Sequence, residues 1–157
     1  MQLFFQIKQI TMKKLLIYLI DDDGDDRDIF NIALKDIDNS AQCIATDSGI
    51  NAIQTLQTEN EFTPDYIFLD LNMPRKTGFE CLTEIKLNQT LKSLPIIIYS
   101  TSLDIEVVNL LYEKGAHHYI RKPGEFSDLK KVILEVLTVT VKTNSVRPAK
   151  EKFVIQV

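Results

Sequence analysis

Short apolar runs that stop abruptly at polar residues alternate along this chain with stretches whose apolar positions recur at helical spacing. Residues 14–20 carry Leu15, Leu16, Ile17, Tyr18, Leu19 and Ile20 and halt at Asp21-Asp22-Asp23-Gly24. The run is too brief for a helix and reads as a first strand. From Asp25 onward, Ile29, Phe30, Ala33, Leu34 and Ile37 share one helical face, with acidic residues placed at the positive end of the helix dipole. Residues 42–46 read as a second strand, Ser48 as an N-cap, and Ile50, Ile53 and Leu56 as the face of a second helix running to about Asn60.

The third apolar run is the one around which the chemistry gathers. Ile67, Phe68 and Leu69 are large or β-branched with no alternation, as in a parallel strand covered on both faces, and the run ends in Asp70. Met73-Pro74 and Gly78 then break the chain, so Asp70 is expected at the carboxyl edge of a sheet, where open α/β folds bind ligands. It is the candidate nucleophile. A third helix opens at Thr77 or Gly78 with Phe79, Leu82 and Ile85, and a fourth strand follows Pro95 through Ile96, Ile97, Ile98 and Tyr99 to Ser100. Asp104 caps a fourth helix that Gly115 ends, and His118 to Arg121 form a fifth strand before Lys122-Pro123. The last helix starts near Glu125 and buries Phe126, Leu129, Val132, Ile133, Val136 and Leu137, with the period fading after Thr140.

Five β-α units predict an α/β fold, a doubly wound five-stranded parallel sheet, because right-handed crossovers of this length join parallel strands. In the strand order 2-1-3-4-5, Asp21 and Asp22 lie beside Asp70, with Ser100 and Lys122 at the next strand ends outward. Carboxylates so close repel one another unless a hard cation neutralises them, and oxygen ligands at this density suit Mg²⁺. The expected metal ligands are Asp22, Asp70 and the carbonyl of Asn72, with Asp21 acting through water. Lys122 and the Ser100 hydroxyl would then take the remaining oxygens of an incoming phosphoryl group, so the chemistry that fits is phosphoryl transfer to Asp70.

Composition narrows the setting. A length of 157 residues fits one domain at residues 13–140, with an extension at 1–12 and a tail at 141–157 that is either disordered or adds an edge segment. The net charge of −4 and scattered Lys and Arg leave no electrostatic footprint for direct nucleic-acid binding. Cys43 and Cys81 lack metal-binding spacing and suit packing in a reducing compartment. Lys8, Lys13 and Lys14 interrupt the only signal-like stretch, and no run reaches membrane-spanning length, so a cytoplasmic protein without membrane contact is expected.

With Asp21-Asp22, Asp70, Met73-Pro74, Gly78, Ser100 and Lys122-Pro123 each falling after the appropriate strand, residues 13 to 140 resemble the receiver domain of bacterial two-component response regulators, which has flavodoxin-like topology. The resemblance implies that Asp70 accepts phosphate from a phosphohistidine on a sensor histidine kinase or histidine phosphotransfer protein in a Mg²⁺-dependent reaction. Ser100 would turn toward the phosphoryl group and Tyr119 would turn inward behind it. Output to a downstream protein partner would use the fourth helix, fifth strand and fifth helix, in a stand-alone switch rather than an enzyme that turns over a metabolite. Two positions depart from the commonest family pattern: Thr101 stands where a small residue is usual, and Ser rather than Thr occupies position 100.

Other readings of the same residues are plainer. Of the six aspartates in residues 21–28, Asp23, Asp25, Asp26 and Asp28 read as a solvated helix start. Adjacent His117 and His118 point to opposite faces of a strand and cannot form one metal site. Val107, Val108, Leu110 and Leu111 exceed a narrow apolar stripe, which leaves a remainder for docking or for a homodimer surface. A haloacid dehalogenase-type aspartate phosphatase needs a second Asp where Asn72 stands, and a flavin protein needs a phosphate loop after the first strand. A receiver-shaped interaction module that is not phosphorylated would have no use for the retained set of Asp21, Asp22, Asp70, Ser100 and Lys122.

Overall fold

Strand and helix alternate through β1 (Leu16–Ile20), α1 (Gly24–Ile37), β2 (Gln42–Thr46), α2 (Gly49–Thr58), β3 (Tyr66–Leu69), α3 (Gly78–Leu87), β4 (Ile96–Ser100), α4 (Ile105–Glu113), β5 (His118–Arg121) and α5 (Phe126–Lys142). A 3₁₀ turn (Lys150–Lys152) and β6 (Val154–Ile155) complete the chain. This computed structural model describes residues 14–58 and 61–156. The extension expected at residues 1–12 and the expected helix end near Asn60 lie outside the described residues.

All strands pair in parallel in the order β2-β1-β3-β4-β5-β6. The expected order 2-1-3-4-5 holds, and a sixth strand extends it. The number of strands is thereby corrected from five to six: Val154 and Ile155 pair with Tyr119 and Ile120, which makes the tail an edge segment. Two residues are too few to show a period, which is why this strand left no pattern in the sequence.

Because successive strand residues face opposite sides, the central strands feed two cores. Ile17, Leu19, Phe68, Ile97 and Ile120 pack against α1 and α5 through Phe30, Leu34, Leu129, Ile133 and Val136. Tyr18, Ile20, Ile67, Leu69 and Ile98 pack against α2, α3 and α4 through Ile53, Leu56, Leu82, Ile85 and Leu111. Helix starts are fixed by side chains that accept otherwise orphaned amides: Asp23 for α1, Thr77 for α3 and Asp104 for α4. Gly115, at φ 102°, closes α4 in the left-handed region. Both cysteines are in packed surroundings, and burial pushes each thiol up to about 11, consistent with a packing role.

The segment after α5 returns across the molecule. Asn144 and Ser145 take left-handed φ values of 52° and 61°, and the chain then runs beside β5. Arg147 lies 4.2 Å over the Tyr112 ring and donates to the Ala116 carbonyl at 3.1 Å and to the Tyr112 carbonyl. Tyr112 in turn donates its hydroxyl to Pro148 O at 3.0 Å. Phe153 is buried against Tyr112 and Tyr119, with ring centroids 5.2 and 6.4 Å away.

Candidate functional site

The sheet ladder continues one residue past several strands, and this aligns the polar groups at its carboxyl edge. The Asp21 amide donates to Thr46 O at 3.1 Å, the Asp70 amide to Ile20 O at 2.9 Å, and the Lys122 amide to Ser100 O at 2.7 Å. Residues separated by dozens of positions are thus brought side by side by backbone register alone.

One carboxylate oxygen from each of Asp21, Asp22 and Asp70 lies within 4.8 Å of the other two. Asp21 is fully buried, Asp70 is 6% exposed and Asp22 faces solvent. Asp21 Oδ1 accepts from the Asp23 amide at 2.9 Å, and Arg27 Nη1 donates to the Asp21 carbonyl at 2.7 Å, which fixes the loop that presents the acidic pair. Asn72 lies in the loop after β3, with its amide donating to Asp70 Oδ1 at 3.4 Å.

Lys122 reaches this cluster from the end of β5. Its Nζ donates to Asp21 Oδ2 at 2.8 Å and to Asp26 Oδ2 at 2.8 Å, and stands 3.9 Å from Asp70 Oδ1. The same ammonium lies 4.8 Å from the Tyr99 ring centroid. Burial works against its charge, but the hydrogen bonds it donates to Asp21 and Asp26, with the nearby Asp70 carboxylate, outweigh that and hold its pKa above the ordinary lysine value. Burial, assisted by the neighbouring charges of Asp21 and Asp22, pushes the Asp70 carboxyl up to about 7, with Lys122 and the Asn72 amide opposing the rise.

Ser100 is buried at the end of β4, its hydroxyl 3.2 Å from that of Ser102. Tyr119 is fully buried and donates its hydroxyl to the Ser102 carbonyl, so its ring already occupies the interior that the resemblance reserved for it after phosphorylation. His117 and His118 are both buried and tie down the returning segment: Nε2 of His117 donates to Ser145 O at 3.1 Å and Nδ1 of His118 to Phe153 O at 3.2 Å.

Each site residue expected from the sequence, Asp21, Asp22, Asp70, Asn72, Ser100 and Lys122, lies at this edge. One residue was assigned wrongly. Asp26, read as part of a solvated helix start, is an ion-pair partner of Lys122, whereas Asp23, exposed at the N-cap of α1, stands at the helix start expected of it.

Asp21, Asp22 and Asp70 gather three carboxylates with one ammonium, Lys122, paired to Asp21 and standing 3.9 Å from Asp70, and burial together with the charges of Asp21 and Asp22 disfavours the ionised form of Asp70. An all-oxygen cluster with excess negative charge fits a hard cation.

A sequence profile described as the response regulator receiver domain matches residues 17–134. Among curated proteins, the chain is similar to the response regulator Rcp1 of Synechocystis, with 33% identity over 122 residues, covering 75% of this chain and 83% of Rcp1. It is also similar to the two-component response regulator ORR5 of rice (Oryza sativa), at 30% identity covering 77% of this chain and 87% of ORR5. Among solved structures, the phosphorylated cyanobacterial phytochrome response regulator RcpA matches with a TM-score of 0.75 and 28% identity, over 87% of this chain and all of RcpA. The Mn²⁺-bound form of Rcp1 matches with a TM-score of 0.73 and 32% identity, over 86% of this chain and 99% of that one. A parallel sheet that gathers three acids, a hydroxyl and an ammonium at one edge, together with a profile match spanning most of its length, places this chain in the response regulator receiver family.

Proposed function

We propose that Asp70 is the phosphoacceptor of a two-component signalling switch and that Asp21, Asp22, Asp70 and the Asn72 carbonyl hold the Mg²⁺ on which phosphorylation depends. The observation that carries this reading is the position of Asp70: a nearly buried carboxylate between an acidic pair and a lysine, at the open edge of the sheet. The bound cation supplies charge neutralisation for phosphoryl oxygens. In the transfer, an Asp70 oxygen attacks phosphorus, and the bond from phosphorus to the donor's imidazole nitrogen breaks, the nitrogen keeping the electron pair. Lys122 offers N–H groups to the arriving oxygens, and the Ser100 hydroxyl, now held by Ser102, rotates to meet them.

The reaction is stoichiometric, one phosphoryl group per chain, and its consequence is conformational. Ser100, Ser102 and Tyr119 form a connected path from the site to β5, so a change at Ser100 alters the packing beneath α4, β5 and α5. That face is the proposed output surface toward a downstream protein, with a sensor kinase or phosphotransfer protein as phosphodonor. Of the apolar residues on α4 singled out in the sequence, Val107 and Leu110 are exposed there, whereas Val108 and Leu111 are buried in the core.

Incubation with Mg²⁺ and acetyl phosphate, followed by intact-mass measurement, tests the assignment. The expected result is one phosphoryl adduct that is absent in Asp70→Asn and absent without divalent cation. An unmodified wild-type chain would favour a receiver-shaped interaction module, and an adduct that persists in Asp70→Asn would move the acceptor elsewhere.

A further inference from the structure

We infer that Asp26 is a positioning residue that competes with a phosphoryl group on Asp70 for the Lys122 ammonium, and so sets how readily the phosphorylated state forms. The inference rests on the reading of Asp70 as phosphoacceptor and adds a residue to it.

An ammonium has three N–H donors. Two of those on Lys122 are spent at 2.8 Å, one on Asp21 and one on Asp26, whereas Asp70 Oδ1 at 3.9 Å is beyond hydrogen-bond range. The lysine therefore leans toward α1, away from the carboxylate it is expected to serve. Asp21 cannot release it cheaply, because Asp21 is fully buried and would keep an uncompensated charge. Asp26 can: its side chain is 33% exposed and belongs to an open cavity of about 300 Å³, lined also by Tyr99, Gly124 and Phe126. Once a phosphoryl group offers Lys122 a stronger partner, the Asp26 carboxylate has solvent to turn into. Asp26 stabilises the unphosphorylated arrangement more than the phosphorylated one, and the equilibrium carries that difference.

Beryllofluoride, which binds an aspartate carboxylate as a phosphoryl mimic, allows the test without turnover, and ¹⁹F NMR reads the bound species directly. In the presence of Mg²⁺, Asp26→Asn is expected to bind beryllofluoride about two- to fivefold more tightly than wild type, the range a partly exposed ion pair commands. Asp26→Glu, which keeps the charge, stays closer to wild type. Asp25→Asn removes an equal charge from the same turn at an exposed residue not paired with Lys122, and is expected to change affinity less. In a Lys122→Met background, the advantage of Asp26→Asn over Asp25→Asn disappears. Equal effects of Asp25→Asn and Asp26→Asn, weaker binding by Asp26→Asn, or an advantage that survives in Lys122→Met would each overturn the competition. Should Lys122→Met not fold, the paired comparison of positions 25 and 26 decides alone. Failure of the Asp70 assignment looks different: the wild type itself then shows no bound signal that Asp70→Asn abolishes, and both readings fall together.

Discussion

Gly78 lies so close behind Asp70 that a Cβ added to it would stand 2.2 Å from the Asp70 carbonyl oxygen and 2.8 Å from Leu71 Cα. The contact is backbone on backbone, and the Gly78 amide donates to Leu71 O at 3.0 Å, so the start of α3 is seated directly on the loop that carries the acceptor. Gly78→Ala is expected to push that loop outward and to cost about 2 kcal/mol or more, the scale of forced overpacking. Urea denaturation measures the loss, and a parallel fall in phosphorylation by acetyl phosphate would show that Asp70 moved with the loop. Gly124 provides the contrast: an added Cβ meets nothing within 4 Å, so Gly124→Ala leaves stability unchanged or raises it by up to about 1 kcal/mol.

Phe153 anchors the returning C-terminal segment at 1% exposure between Tyr112 and Tyr119. Truncation to Ala empties an aromatic volume under β5 and is expected to cost about 3–4 kcal/mol in denaturant unfolding. The ring also backs Tyr119, whose hydroxyl meets the Ser102 carbonyl, so the same substitution should change backbone NMR shifts of Ser100 and Ser102. Confinement of the shift changes to residues beyond position 140 would separate this segment from the signalling path.

Lys122→Met leaves the buried Asp21 carboxylate without its ammonium and Asp70 beside two unrelieved acids. The expected loss is about 3 kcal/mol, the lower end of the cost of breaking a buried ion pair. Since a dication restores the missing positive charge, MgCl₂ should raise the melting temperature of Lys122→Met by more than that of wild type, and chelation should reverse the gain. Equal gains in the two proteins would show that metal and lysine do not share a charge.

Most of this site could be read in the sequence because backbone register does the assembling. An apolar run ending in a polar residue marks the carboxyl end of a buried strand, so Asp21, Asp70, Ser100 and Lys122 announced themselves once the strand order was fixed. Asp26 did not, because its partner is set by how α1 is rotated about its axis relative to a lysine at the far end of the chain, a tertiary relation with no local trace. β6 was legible only as one of two alternatives, an edge segment or a disordered tail, and for a different reason. Its two residues follow Phe153, whose ring is packed against Tyr112 and Tyr119 and whose carbonyl accepts from the Tyr119 amide and from His118, none of which has a periodic signature. The hydrogen-bond partners of His117 and His118 lie 28 and 35 residues away and left no trace in the sequence either.

Two buried groups make the pH dependence of stability a contest in one window. Burial, reinforced by Lys86, Arg147 and His118, lowers the His117 pKa to about 4, against the 6.5 of an unperturbed imidazole. The unfolded chain therefore binds the proton first as pH falls, and stability attributable to His117 is present above about pH 6.5 and is lost on the way down to about pH 4. Asp70 acts with the opposite sign: its folded pKa near 7 exceeds the unfolded value near 3.8, so without metal the folded state binds the proton first and gains stability over nearly the same interval. Each contribution is on the order of 3 kcal/mol, so the two largely offset each other. Burial also lowers the His118 pKa, which adds a loss of the same sign as that of His117, so metal-free wild type should lose stability between pH 7 and pH 4.5 less steeply than its buried histidines alone dictate. Asp70→Asn removes the gain and should lose stability steeply as pH falls, whereas His117→Gln removes one of the two losses and should lose less than wild type. Denaturant midpoints at half-unit pH steps distinguish the three slopes, and parallel profiles for all three proteins would show that neither group titrates as its surroundings dictate.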